Sequence, residues 1–392
     1  MIQKKGQSPF GGIALMAVFF AAAGYGQTDL AARIKRVEEG LVPAKAEPNA
    51  PPGNIQDRMQ FYKVPGVSVA VINDFKIEWA KGYGVLDVGT GEAVRLSSLF
   101  QAASISKPIA AMAALKLVQD GKLDLNADVN AALKSWTLPD NEFTALTKVT
   151  LKHLLSHTGG LTVHGFPGYA VPGPVPTLIM VLNGERPANT APIRVDAVPG
   201  RTFRYSGGGY VIVQQLILDV GGKPFPEFMK DTVLSPLGLW DSTYEQPLLP
   251  DKLKSAAAGH RADGSLVPGK RHIYPEMAAA GLWTTATDLA AFAIEIQKSA
   301  LGRSNKVLTQ ATVDLMLTPV KGNYGLGLGI DPNGSYFQHD GGNEGFACLM
   351  YSSRQGGTGL VVMTNSDNGG RLFPEILKSV ANEYKWTGFE SR

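Results

Sequence analysis

Strand-like stretches gather at the two ends of this chain with a long helical span between them, and no other feature constrains the fold as tightly. Near the N-terminus, residues 67–72 and 76–83 carry Val, Ile and aromatic residues and are split by the turn pair Asn73-Asp74. In the last quarter, residues 324–330, 335–339, 346–352 and 359–364 again read as strands, and a helix follows over 371–384. The middle is mainly helical. Residues 104–120 are rich in Ala, Leu, Met and Lys and stop at Gly121; Pro108 falls in the first turns, where a missing N–H is tolerated. Thr150 is placed to cap a short helix over 151–157. Helical patterns return at 210–220 and 224–233, and Thr285 with Asp288 resembles a capping box before 289–297. These elements predict an α+β fold: one sheet layer built from both chain ends and flanked by helices, with a helical region inserted at about 121–280. No internal repeat is present.

The ends of the chain add a location. Lys4 and Lys5 precede an uncharged, mostly apolar stretch over 11–23, and Gly24 and Gly26 flank Tyr25 before Gln27. That is the pattern of an export signal over residues 1–26, which predicts a periplasmic or secreted protein. The apolar stretch is shorter than the ~20 residues a spanning helix needs, so no stable membrane span is expected after cleavage; an uncleaved N-terminal anchor is the alternative. Residues 27–60 are polar, with one helix around 29–39 and a Pro-rich linker at 43–52, and lead into a main domain over 61–392. The net charge is +3 with scattered lysines and arginines, a pattern that excludes a nucleic-acid-binding surface. Cys348 is the only cysteine, so the chain forms no internal disulfide; its strand-like surroundings predict a packing role rather than a nucleophile or metal ligand.

Chemistry concentrates in three short phrases. In Ser104-Ile-Ser-Lys107, at a helix start, positions three apart share a face, so the hydroxyl and the amine can touch. A serine hydroxyl is a weak nucleophile until a base takes its proton. Lysine serves as that base only when burial and a helix N-terminus lower its pKa. The second phrase is Phe203-Arg-Tyr-Ser-Gly-Gly-Gly-Tyr210, where Tyr205 is a candidate proton shuttle. The third is His339-Asp-Gly-Gly342, whose glycines let a strand backbone approach a substrate closely.

Taken in order, Ser104-Ile-Ser-Lys107, Tyr205-Ser-Gly207 and His339-Asp-Gly341 resemble the serine β-lactamase and penicillin-recognising superfamily, in its class C β-lactamase-like branch. The flanking phrases Val64-Pro-Gly-Val-Ser-Val-Ala70, Leu154-Leu-Ser-His-Thr-Gly-Gly-Leu161 and Gly281-Leu-Trp-Thr-Thr-Ala-Thr-Asp-Leu289 are similar too, and the likeness spans about 61–364. It implies a β-lactamase/transpeptidase-like fold and a serine hydrolase of the esterase, D-peptidase or β-lactamase type. Ser104 would attack an ester, amide or lactam carbonyl, with Lys107 and Tyr205 as coupled base and acid. The backbone N–H groups of Ser104 and Gly342 would form the oxyanion hole, beside Gly341. His339 would orient either the substrate or the Tyr205–Lys107 network. The likeness implies no cofactor and no metal.

Two positions depart from the family pattern. Gly207 stands where an Asn that binds the acyl chain is common, and His339 stands where strong β-lactamases have Lys. A neutral histidine holds a β-lactam carboxylate less firmly. Both changes favour esters or peptides, including D-amino-acid peptides, over efficient lactam hydrolysis. A β-lactamase and a non-catalytic peptidoglycan- or lactam-binding protein remain the alternatives. Residues 164–200 hold many prolines and are expected to roof the site. Ser366-Asp-Asn368 reads as a turn, because it follows the His339 phrase instead of preceding it. His153 and His157 have the spacing of a zinc-binding helix, but Leu154 replaces the glutamate such a site needs. Gly82-Tyr-Gly84 opens no helix and is no phosphate loop, and no G-x-S-x-G elbow occurs.

Overall fold

The computed structural model describes residues 19–43, 51 and 53–389. Residues 1–18 of the expected export signal, and most of the linker at 43–52, lie outside the described residues. A seven-stranded antiparallel sheet forms the centre of the fold. Its strands are β1 (Gly66–Asn73), β2 (Lys76–Asp87), β3 (Glu92–Ala93), β4 (Gly329–Ile330), β5 (Tyr336–Asn343), β6 (Phe346–Ser353) and β7 (Gly359–Thr364), in the order β3-β2-β1-β7-β6-β5-β4. The sheet closes where the chain ends meet: β1 pairs with β7, Val69 facing Val362. Nearly all of β1 is buried, because helices cover both of its faces, and it therefore reads as a continuous apolar run instead of alternating.

Eight helices matter for the site and its support: α1 (Phe19–Glu39), α2 (Ile55–Tyr62), α3 (Ser106–Gln119), α4 (Leu151–Leu155), α5 (Gly207–Gly221), α6 (Met277–Ala280), α7 (Ala286–Ala300) and α8 (Gly369–Glu383). Alternation along the strands sends side chains to two separate cores. Ala70, Ile72, Cys348, Met350 and Val361 face α3, α5 and α7. Val69, Val71, Leu349, Tyr351 and Val362 pack with Leu372, Phe373, Ile376 and Val380 of α8. The spacing of those α8 residues puts them on one stripe. Helix α3 is buried almost all round, with Ile109, Met112 and Leu115 inside. Each such side chain contributes ~1.5–3 kcal/mol on burial, which fixes the helix that presents Lys107. No helix among the described residues is long and apolar enough to cross a membrane.

Some local expectations are corrected. Within 324–330 only Gly329–Ile330 joins the sheet. Gly327 has φ +95°, its N–H donates to the Leu155 carbonyl, and the Leu326 N–H donates to Met316, so that segment spends its hydrogen bonds on helices. The helix expected over 224–233 breaks into Phe225–Met229 and a widened turn at Lys230–Leu234. Thr285 does cap α7 by accepting from the Asp288 N–H, but no reciprocal bond forms. The Asp288 carboxylate instead accepts from the Ser242 hydroxyl and from the N–H groups of Asp241 and Ser242.

Candidate active site

The chain reaches the first phrase through a tight turn. Ala103 is left-handed at φ +48°, a conformation that costs a non-glycine residue ~1–2 kcal/mol. A short 3₁₀ turn over Ala103–Ile105 follows, so α3 begins only at Ser106 and not at Ser104. Lys107 Nζ lies 2.9 Å from Ser104 Oγ and 2.7 Å from the carbonyl of Ala279 on α6. Burial removes water from this amine and lowers its pKa to about 7, against a smaller opposing pull from Asp340. A neutral amine that donates to Ala279 keeps its lone pair free for the Ser104 proton.

Tyr205 completes the group. Lys107 Nζ sits 5.0 Å from the centre of its ring and 5.8 Å from that of Tyr210. Burial pushes the Tyr205 pKa well above the ordinary phenol value; the nearby Ser104 hydroxyl opposes this and Asp340 adds to it. At neutral pH the phenol therefore carries a proton it can donate, whereas the Lys107 amine, lowered to about 7, can accept one.

The sequence pairing of His153 with His157 dissolves in the structure. Helix α4 ends at Leu155, and His157 turns away with φ +55°. His153 Nδ1 accepts from the Thr150 N–H at the helix start. His157 instead packs against Tyr205, ring centres 4.1 Å apart, and its Nδ1 accepts from the Ser206 N–H at 3.1 Å. Burial first, then the nearby Lys107, keep the pKa of His157 well below the ordinary histidine value. His157 is thus a neutral wall of the site that the sequence reading assigned no role; only the phrase around it hinted at one.

Strand β5 forms the opposite wall. Gly341 approaches the turn before Ser104 so closely that a Cβ would lie 2.4 Å from the Ala102 carbonyl and 2.8 Å from Cys348 Sγ. Gly342 has nothing within 4 Å of its own Cβ direction. Strand β4 pairs only as far as Gln338, so β5 from His339 onward presents an edge free of β4. His339 Nε2 is 3.1 Å from the Tyr324 hydroxyl, and its Nδ1 is 2.6 Å from the Asp340 carbonyl. Burial, with Lys107 adding, lowers the His339 pKa to about 4, so this ring is uncharged at neutral pH. Asn343 Nδ2 donates to Gln101 and to the Ala280 carbonyl, at 2.8 and 3.0 Å, and the Leu282 N–H donates to Ser106 Oγ at 2.9 Å. These ties lock β5, α6 and α3 around Ser104. Asn343, Gln101, Ser106 and Tyr324 escaped the sequence reading; the Ala279 carbonyl had no side-chain signal to find.

Gly207 has a steric reason. The segment before it folds back on the Tyr205 phrase: Gly207 N–H donates to His164, Gly208 N–H to Val163, and His164 Nδ1 lies 2.5 Å from the Tyr205 carbonyl. A Cβ at Gly207 would meet Phe166 Cε2 at 2.8 Å. Gly207→Asn is therefore expected to displace the Phe166 ring and cost about 1–3 kcal/mol of stability. Thermal unfolding of Gly207→Asn beside the Phe166→Ala/Gly207→Asn pair checks this: the second substitution should restore part of the loss. Ser366-Asp-Asn368 is a turn, as expected. Its Asn368 amide donates to the carbonyls of Tyr62 and Ala262, and Asp367 accepts from the Gly345 N–H. Among the described residues no group of His, Cys, Asp and Glu is arranged to hold a metal ion.

The chain is similar to known proteins over most of its length. The chain is 24% identical over 345 residues to protein flp of Staphylococcus aureus (strain N315), covering 85% of this chain and 66% of that one. It therefore spans just under two thirds of that relative's length. It is 26% identical over 312 residues to PbpX of Bacillus subtilis (strain 168), covering 77% of this chain and 71% of PbpX. Among solved structures, the octameric penicillin-binding protein homologue from Pyrococcus abyssi superposes with a TM-score of 0.70 at 25% identity, covering 84% of this chain and 76% of that one. The penicillin-binding protein from Bacillus halodurans gives 0.62 at 20% identity over 80% of this chain and 97% of its own, a likeness of fold. The family model Beta-lactamase matches residues 53–384, and the chain belongs to that family.

Proposed function

We propose that this protein is an exported serine hydrolase that cleaves small esters or peptide amides, D-amino-acid peptides among them, through an acyl-enzyme on Ser104. One observation carries the reading: Lys107 Nζ, buried so that its pKa is lowered to about 7, lies 2.9 Å from the Ser104 hydroxyl. Lys107 takes the Ser104 proton as Oγ bonds to the substrate carbonyl carbon. The resulting oxyanion is held by the N–H groups of Ser104 and Gly342. As the bond to the leaving group breaks, the Tyr205 hydroxyl supplies the proton that group needs, and the Lys107 ammonium restores it. Water then cleaves the ester on Ser104 by the reverse proton path. Proton transfer of this kind accelerates ~10²–10⁴-fold and an oxyanion donor a further ~10²–10³.

Substrate class follows from what the walls lack. His339 is uncharged at neutral pH and offers no fixed cation to a lactam carboxylate. The Phe166 ring occupies the space beside Gly207. Both favour small esters and peptides over β-lactams. An export signal over residues 1–26 supports a location in the periplasm or outside the cell. The test is turnover of nitrocefin, a short-chain nitrophenyl ester and a D-alanyl-D-alanine peptide by the purified chain. Ester or peptide turnover above lactam turnover is expected; rapid lactam hydrolysis with negligible ester cleavage overturns the substrate assignment.

A further inference from the structure

Side chains alternate along β5. His339 and Gly341 face the Lys107 side, whereas Gln338, Asp340 and Gly342 border a separate cavity of about 490 Å³ between the strand and α8. Its apolar surface comes from Leu349, Phe373 and Leu377, with the rings of Tyr351 and Phe389. Its charged lining is Asp331, Asp340 and Asp367 against the single Lys378. Among the described residues none of the three aspartates forms an ion pair. Asp331 accepts from the Tyr351 hydroxyl, which holds one carboxylate beside an aromatic ring. An apolar wall bearing aromatic rings beside carboxylates that form no ion pair suits an organic cation: its body packs on the wall, and the carboxylates attract the ammonium by charge. The volume lies in the range of small-molecule sites.

We propose that this cavity binds an organic ammonium compound with an apolar body. The cavity reaches Gly341 and Gly342, so the cation is either the part of a substrate beyond the scissile bond or a separate ligand lying behind the strand. The preference for positive charge does not depend on the hydrolase reading, because it rests on the lining alone.

The probe is benzyltrimethylammonium, measured by titration calorimetry on the full chain, with neopentylbenzene as its uncharged counterpart. Saturable binding of the cation in preference to the neutral compound is expected. Leu377→Trp, which fills the apolar floor, should weaken it about tenfold. Asp331→Asn, which leaves the volume intact, should weaken it severalfold. Absence of saturable binding, or binding that both variants leave unchanged, overturns the proposal. Kinetics with a nitrophenyl ester then separate the two sources. Competitive inhibition identifies a substrate subsite, and binding without competition identifies a separate ligand. Failure of the calorimetry leaves acylation of Ser104 untouched, and failure of acylation leaves the calorimetry interpretable.

Discussion

Lys107→Met is expected to lose at least ~10³-fold in kcat/KM and yet to unfold at a higher temperature than the parent protein. The loss follows from geometry: methionine fills the space but has no lone pair for the Ser104 proton. The gain follows from linkage. An exposed lysine titrates near ~10.4, whereas the buried Lys107 titrates at about 7. Between these values the unfolded chain binds a proton that the folded chain does not, so stability rises with pH across that window and is lost as pH falls towards 7. At neutral pH the penalty is at most ~4 kcal/mol. Removing the amine relieves it, less ~1 kcal/mol for the Ala279 carbonyl left without its donor. Scanning calorimetry at pH 7 beside ester kinetics checks both halves. A variant that is inactive and also less stable than the parent would show that the amine is held by favourable pairing rather than by desolvation.

Tyr205→Phe is expected to act on the leaving group. A nitrophenolate departs without a proton, so turnover of nitrophenyl esters should fall less than tenfold. Alkoxides and amines need one, so alkyl ester or peptide turnover should fall ~10²–10⁴-fold. The phenol is protonated at neutral pH, because burial holds its pKa above the ordinary value. Comparing kcat/KM for a nitrophenyl and an ethyl ester of one acid isolates the effect. An equal loss on both substrates would assign Tyr205 to positioning Ser104 and not to proton delivery.

The sequence made part of this site visible for a definite reason. Ser104 and Lys107 are three positions apart, and a helical start forces that pair together whatever the rest of the chain does. Strands at both ends announced one sheet layer built from both termini, whereas the pairing of β1 with β7 is seen only in the fold. Other features were set by backbone turns that no spacing rule contains. His157 leaves its helix at φ +55°, so a pattern that suggested two ligands on one face yields a cap and an aromatic wall. The alternation at 324–330 looked like a strand, yet Gly327 at φ +95° sends its N–H to Leu155. The carbonyl of Ala279, which holds the lysine, belongs to the main chain and leaves no mark on residue identity. The acidic cavity behind β5 collects Asp331, Asp340 and Asp367 from separate places in the chain, and only the folded sheet brings them together.

The proposed mechanism descends from an amine that loses its proton near neutral pH. Reaction with a fluorophosphonate, followed by intact mass as a function of pH, reads that directly on the parent protein and on Ser104→Ala. One adduct is predicted on the parent and none on the variant, with a rate that climbs with pH to a plateau and a midpoint at about 7. An adduct on Ser104→Ala, or a rate still climbing towards the ~10.4 of an ordinary lysine, would contradict the account.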